Sequence, residues 1–151
     1  MEKEKSIAVL NKLIQINNDR IEGYQTALAE TDESDLKTLF MQFIDTSKSC
    51  RQELDNEVLK IGGRPTDETK ATGKFFRVWM DVKAALTNKD RKSILNSCEF
   101  GEDVAVKTYK DAIENDSENI STQQLEMIKR HYALIMADHN KVKNMRDVIT
   151  V

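Results

Sequence analysis

The sequence predicts an all-α protein, an up-down four-helix bundle with one long crossover, and three observations carry that prediction. Apolar residues recur at alternating steps of three and four along four long tracts, the spacing of one helical face. A single proline and only five glycines leave long tracts with few helix breakers. Charged residues make up 32% of the chain and apolar residues 39%, a balance that favours amphipathic helices over sheets. The 151 residues suit one domain, 1–151, long enough to bury a real core.

The first helix is expected from about Ser6 to Thr31, with Ile7, Leu10, Ile14, Asn17, Ile21, Tyr24 and Leu28 on one face. Only Asn17 is polar in that row. Asp32-Glu33-Ser34-Asp35 reads as a capping turn. The second helix then carries Leu36, Phe40, Phe43, Ser47, Cys50, Leu54, Val58 and Ile61 on its face. Gly62 and Gly63 supply a helix C-terminus, and Pro65 opposes continuation. The crossover, 62–90, contains an exposed loop and then a short helix with an aromatic face formed by Phe75, Phe76, Trp79, Val82 and Leu86. A connection of this length can travel the length of the bundle and cover one side.

The third long helix places Leu95, Glu99, Glu102, Val106, Tyr109 and Ile113 on its face. Two carboxylates thus interrupt an apolar stripe, and acids are costly to bury unless paired, hydrogen-bonded or bound to a cation. The helix fades at Glu114-Asn115-Asp116-Ser117, Ser121 and Gln124 form a capping box, and Leu125, Ile128, Tyr132, Ile135, His139, Val142 and Met145 give the fourth stripe. Each long helix therefore has a polar exception near its midpoint: Asn17, then Ser47 with Cys50, then Glu99 with Glu102, then His139. Midpoints of packed helices meet at one level. Such a layer is either a hydrogen-bond network, with tyrosine hydroxyls satisfying the acids, or a transition-metal environment.

The whole chain resembles the ferritin-like four-helix bundles, and more closely an uncharacterised bacterial family of small ferritin-like proteins with a helix in the crossover. The matching stretches are Asn17-Asn18-Asp19-Arg20-Ile21-Glu22-Gly23-Tyr24, Trp79-Met80-Asp81-Val82-Lys83-Ala84-Ala85-Leu86 and Cys98-Glu99-Phe100-Gly101-Glu102-Asp103. The resemblance to metal-binding ferritins implies six ligand positions, a Glu on each of two helices and a Glu-x-x-His on each of the other two. They fall on Asn17, Ser47, Cys50, Glu102, Met136 and His139. Only Glu102 and His139 keep a ligand of the expected kind, so a di-iron centre of the ferroxidase type is incomplete.

Two functions follow as expectations. The first is a non-enzymatic ferritin-like protein that acts through association, with the polar layer fixing helix register. The Phe75, Phe76 and Trp79 region either fills its own bundle or is covered by a second subunit. The second is a metal-binding protein with a degenerate, single-ion site for iron or another divalent transition metal, built from Glu102, His139, Glu99 and Cys50. A hydrolase or transferase is disfavoured, since the chain has no glycine-rich phosphate loop, nucleophile elbow or paired Cys and His motif. A net charge of −3 with interleaved signs argues against nucleic acid. No apolar run approaches the length that spans a bilayer. Cys50 and Cys98, isolated and without a CxxC spacing, fit free thiols in a reducing, cytoplasmic setting.

Overall fold

The computed structural model describes residues 2–67 and 91–148, and among them helix is the only extended element. α1 spans Glu2–Glu30, α2 Ser34–Lys60, α3 Arg91–Asn115 and α4 Thr122–Val148. A single 3-10 turn, Ser117–Asn119, links the last two. The architecture is the all-α four-helix bundle that the periodicity predicts. The short helix expected in the crossover, with Phe75, Phe76 and Trp79, falls outside the described residues.

Helix directions follow from side-chain pairs. Arg20 meets Ser47 while Asn18 meets Arg51, so α1 and α2 are antiparallel. Asp103 meets His139 while Tyr109 meets His131, so α3 and α4 are antiparallel too. Asn17 meets Tyr109 and Tyr24 meets Glu102, which sets α3 antiparallel to α1 and hence parallel to α2. The directions are up, down, down, up. Arg91, at the start of α3, accordingly pairs with Glu33 and Asp35 at the start of α2. The chain between Lys60 and Arg91 therefore joins opposite ends of the bundle, a distance of about 40 Å for a helix the length of α2. Its first residues already run back along α1, where Asn11 Nδ2 donates to the Arg64 carbonyl at 3.2 Å and the Thr66 N–H donates to Asn11 Oδ1 at 3.0 Å.

Local chemistry explains the helix ends. At the start of α4, Gln124 N–H donates to Ser121 Oγ at 3.1 Å and Ser121 N–H to Gln124 Oε1 at 2.9 Å, the reciprocal capping box. At the end of α2, Gly62 N–H donates to the Leu59 carbonyl at 3.0 Å and Gly63 N–H to the Val58 carbonyl at 2.8 Å, the pair of bonds that defines a Schellman motif. Gly62 takes a φ of +85°, which a residue with a Cβ adopts only with strain. Gly63 is needed for space, since a Cβ there would lie 2.8 Å from Ile7 side-chain carbons.

Two apolar clusters fill the bundle. One gathers Tyr24, Leu36, Phe40, Phe43, Ile94 and Leu95 toward the start of α2. The other gathers Leu10, Leu13, Leu54, Val58, Ile128 and Ile135 toward its end. Buried polar residues on all four helices separate them.

The faces of α1 and α2 include the expected stripes, but α3 and α4 are rotated from expectation. α3 buries Leu95, Glu102 and Tyr109 of its expected face together with Ile94, Cys98, Gly101, Ala105 and Ala112, leaving Glu99, Val106 and Ile113 at the edge. α4 buries Gln124, His131 and Asp138 beside Ile128, Ile135 and Val142, whereas Leu125, Tyr132, His139 and Met145 are half-buried. In α4 the flank turned inward is the more polar one, because each of its polar groups meets a partner on another helix.

Replacing Gly62 by Ala should lower stability by about 1 kcal/mol. Urea unfolding of that variant against the wild type checks it, with an unchanged midpoint counting against the left-handed cap.

Candidate functional site: an arginine-centred polar layer

α1 supplies the centre of the layer through Arg20. Its neighbours one and two turns away are Leu13, Ile16, Tyr24 and Ala27, all buried, so helical geometry carries the guanidinium into the core. Each remaining helix sends it one acceptor. Nη1 donates to Ser47 Oγ of α2 at 2.6 Å. Nη2 donates to Glu102 Oε1 of α3 at 2.6 Å and to Asp138 Oδ2 of α4 at 3.2 Å. Tyr24 O–H donates to the same Glu102 oxygen at 2.5 Å. The Tyr24 ring stacks on Phe40 and meets Phe43 edge-on, and the guanidinium carbon lies 5.7 Å from the Tyr24 ring centre and 6.0 Å from that of Phe43. Arg20, Ser47 and Tyr24 have no solvent exposure, and Glu102 and Asp138 are 1% and 4% exposed.

One guanidinium thus faces two carboxylates in a dry interior, leaving one negative charge in excess when both acids are ionised. The strain falls on Asp138. Burial, reinforced by Glu102 and opposed by Arg20, pushes its carboxyl up to about 6. Burial works against the Arg20 charge as well, but the Glu102 carboxylate more than restores it, and the arginine pKa is raised. Burial and the Glu102 charge raise the Tyr24 phenol, which stays protonated as a donor.

A second chain of contacts runs outward toward the end of the bundle. Asn17 Nδ2 donates to the Tyr109 hydroxyl at 2.8 Å, which lies 3.4 Å from His131 Nδ1. His131 Nε2 lies 3.2 Å from Glu53 Oε1, and Arg130 binds both oxygens of Glu53 at 2.9 and 2.8 Å. With Tyr109 donating to Nδ1, the imidazole donates from Nε2, the neutral tautomer. Burial lowers the His131 pKa despite the pull of Glu53, which keeps that form. The Arg130 hydrogen bonds hold Glu53 down to about 2.

The residues expected as ligands separate into two places. Glu102 is in the core, turned to Arg20 and Tyr24. Cys50 is buried with a free thiol, and burial pushes that thiol up to about 12, so it is no thiolate. Glu99 and His139 lie at the α3–α4 seam, where their donor atoms and one of Asp103 fall within 4.8 Å of one another. A ferritin-type metal does not fit the core as built, since a fixed cation already neutralises the Glu102 carboxylate.

Sequence reasoning passed over Arg20, His131 and Asp138. A signal existed for each. Arg20 sits in the middle of the Leu13, Ile16, Tyr24, Ala27 row, and His131 and Asp138 lie between Ile128, Ile135 and Val142 at steps of three and four.

Truncation of the central cation should be severe. Arg20→Met leaves two buried carboxylates without a counter-ion and should cost about 3–5 kcal/mol in urea unfolding, while Arg20→Met with Glu102→Met and Asp138→Leu should recover most of the loss. Asp138 adds a pH dependence of definite sign. The folded chain keeps this proton up to about pH 6, whereas the unfolded chain loses it near pH 4. Wild-type stability therefore falls as pH rises through that window. Asp138→Asn, which cannot titrate, should gain on the wild type by roughly 2–3 kcal/mol between pH 4 and pH 7, and a pH-independent difference would contradict the assignment. Using the difference between the two proteins cancels the opposite contribution of His131, which favours folding as pH rises.

No curated protein matches the chain. Residues 5–115, which take in α1, α2, the crossover and α3 with Arg20, Ser47 and Glu102, match a family model described only as a domain of unknown function, DUF2383. By that match over most of its length, the chain belongs to the DUF2383 family.

Proposed function

We propose that the protein is a ferritin-like bundle, of the small bacterial kind, that works without enzymatic chemistry and acts through association. The observation that carries this reading is Arg20, whose guanidinium lies against Glu102 and Asp138 in the middle of the bundle. The order of directions, with the α2–α3 connection joining opposite ends, supports the ferritin-like kinship, since ferritin-like folds carry one long crossover. At the level where such folds hold metal, this chain uses an internal monocation. A guanidinium neither changes oxidation state nor gives up its proton near neutral pH, and the layer is closed to solvent. No substrate reaches it, and its charged groups are paired with one another. Its role is to fix how the four helices register, and the work of the molecule falls to its surface. We assign the contact between copies to Phe75, Phe76 and Trp79, joined by Phe100, which is 65% exposed on α3.

Two measurements on the full chain test this. Purified protein should oxidise ferrous iron no faster than a protein-free blank, and sedimentation equilibrium should give a mass that is a multiple of 17.3 kDa, reverting to a single chain in Phe75→Ser, Trp79→Ser. Iron oxidation that disappears in Glu102→Ala, or a chain that remains single at high concentration, would overturn the reading.

A further inference from the structure

We propose that Glu99, Asp103 and His139 bind one divalent transition-metal ion at the seam between α3 and α4, outside the arginine layer, with Arg146 as a built-in competitor. Glu99 and Asp103 are one turn apart on α3, a spacing at which like charges destabilise a helix unless something neutralises them. His139 comes from the facing helix, and its Nε2 lies 2.6 Å from Asp103 Oδ1. One donor atom from each of the three residues falls within 4.8 Å of the others. Ligands around a tetrahedral zinc sit about 3.3 Å from one another, so side-chain rotation alone closes the set. One imidazole and two carboxylates make a mixed nitrogen and oxygen shell that suits a transition metal better than a hard cation such as magnesium.

The position is half open. Glu99 and His139 side chains are 16% and 14% exposed and that of Asp103 54%, so an ion can enter and keep water in a further position. The second ring nitrogen of His139, Nδ1, faces Asn140 Oδ1 at 3.4 Å. Nε2–H donates to Asp103 Oδ1; an ion bound at Nε2 takes the place of that proton and leaves the ring's one proton on Nδ1 toward Asn140, the arrangement common to ligating histidines. Glu99 Oε2 is shut off from water and, apart from Arg146, has no partner among the described residues.

Arg146 is the charge an ion has to replace. It pairs with Glu99 and, through Nη2 and Nε, with Asp147 at 3.0 and 3.2 Å. Releasing Glu99 therefore leaves the arginine still paired. With Arg146 in place and the imidazole neutral, the two carboxylates keep one uncompensated negative charge, and a divalent ion matches them in full. Near the end of α4, Arg146 has room to withdraw, which Arg20 in the core does not.

The test is titration of the chelator-stripped full chain with zinc against a chromogenic competitor, repeated with magnesium. Zinc should bind at one equivalent, at least tenfold more weakly in His139→Ala and in Asp103→Asn and severalfold more tightly in Arg146→Gln, with magnesium not competing. All three substitutions are outside the fully buried layer, and unchanged helical circular dichroism of each variant confirms that folding is intact. Absence of zinc binding would overturn the proposal, and so would zinc binding that survives His139→Ala and falls in Cys50→Ser. Because Arg20 and Glu102 are untouched, either result leaves the reading of the core to its own test.

Discussion

Everything else in this bundle depends on the desolvation of one guanidinium. Taking Arg20 out of water costs several kcal/mol, and the fold is arranged so that each of the other helices returns part of that cost: Ser47 from α2, Glu102 from α3 and Asp138 from α4. The apolar clusters on either side hold the helices together, but apolar surfaces are tolerant of sliding. The hydrogen bonds of Arg20 are not. Moving any helix by one turn, about 5.4 Å, would take its acceptor out of reach and leave a buried charge unpaired. Burial supplies the stability, and the polar layer selects one register from those that burial alone would allow.

The same arrangement decides what chemistry the core is fit for. Glu102 would be the natural metal ligand of α3, yet one of its oxygens already accepts from both Arg20 and Tyr24. Cys50 keeps its proton in its dry surroundings, and His131 is used as a hydrogen-bonding link between Tyr109 and Glu53. At the α3–α4 seam the elements are similar and the outcome differs. There the cation is Arg146, partly exposed and shared with Asp147, so its carboxylate partner is exchangeable. Burial separates the two arrangements: a fixed counter-ion inside and a displaceable one at the edge.

The misplaced faces of α3 and α4 have a common cause. Residues such as Ile128, Ile135 and Val142 define the middle of a stripe, but either neighbouring flank completes it. Leu125, Tyr132, His139 and Met145 are the less polar flank and look like the inner one by hydropathy. The bundle turns Gln124, His131 and Asp138 inward instead, because Gln124 meets Glu57, His131 meets Tyr109 and Asp138 meets Arg20. The same reasoning applies to Glu99 and Glu102, three residues apart on one face. Only Glu102 goes to the centre, and Glu99 stays at the edge with Arg146.

Local rules were enough to establish from sequence that four helices form, where they end and that a polar layer crosses their middle. The 3.6-residue period, the Ser121 and Gln124 capping box and the Gly62–Gly63 terminus are each written within a few residues of chain, and their physics is local. What only the tertiary structure decided is which polar side chains make the layer and what neutralises them. An arginine, a histidine or an aspartate on the flank of an apolar stripe reads as a boundary residue, because its burial becomes favourable only when partners from distant segments converge on it. Arg20 and Asp138 are 118 residues apart along the chain, and that contact exists only once all four helices have packed.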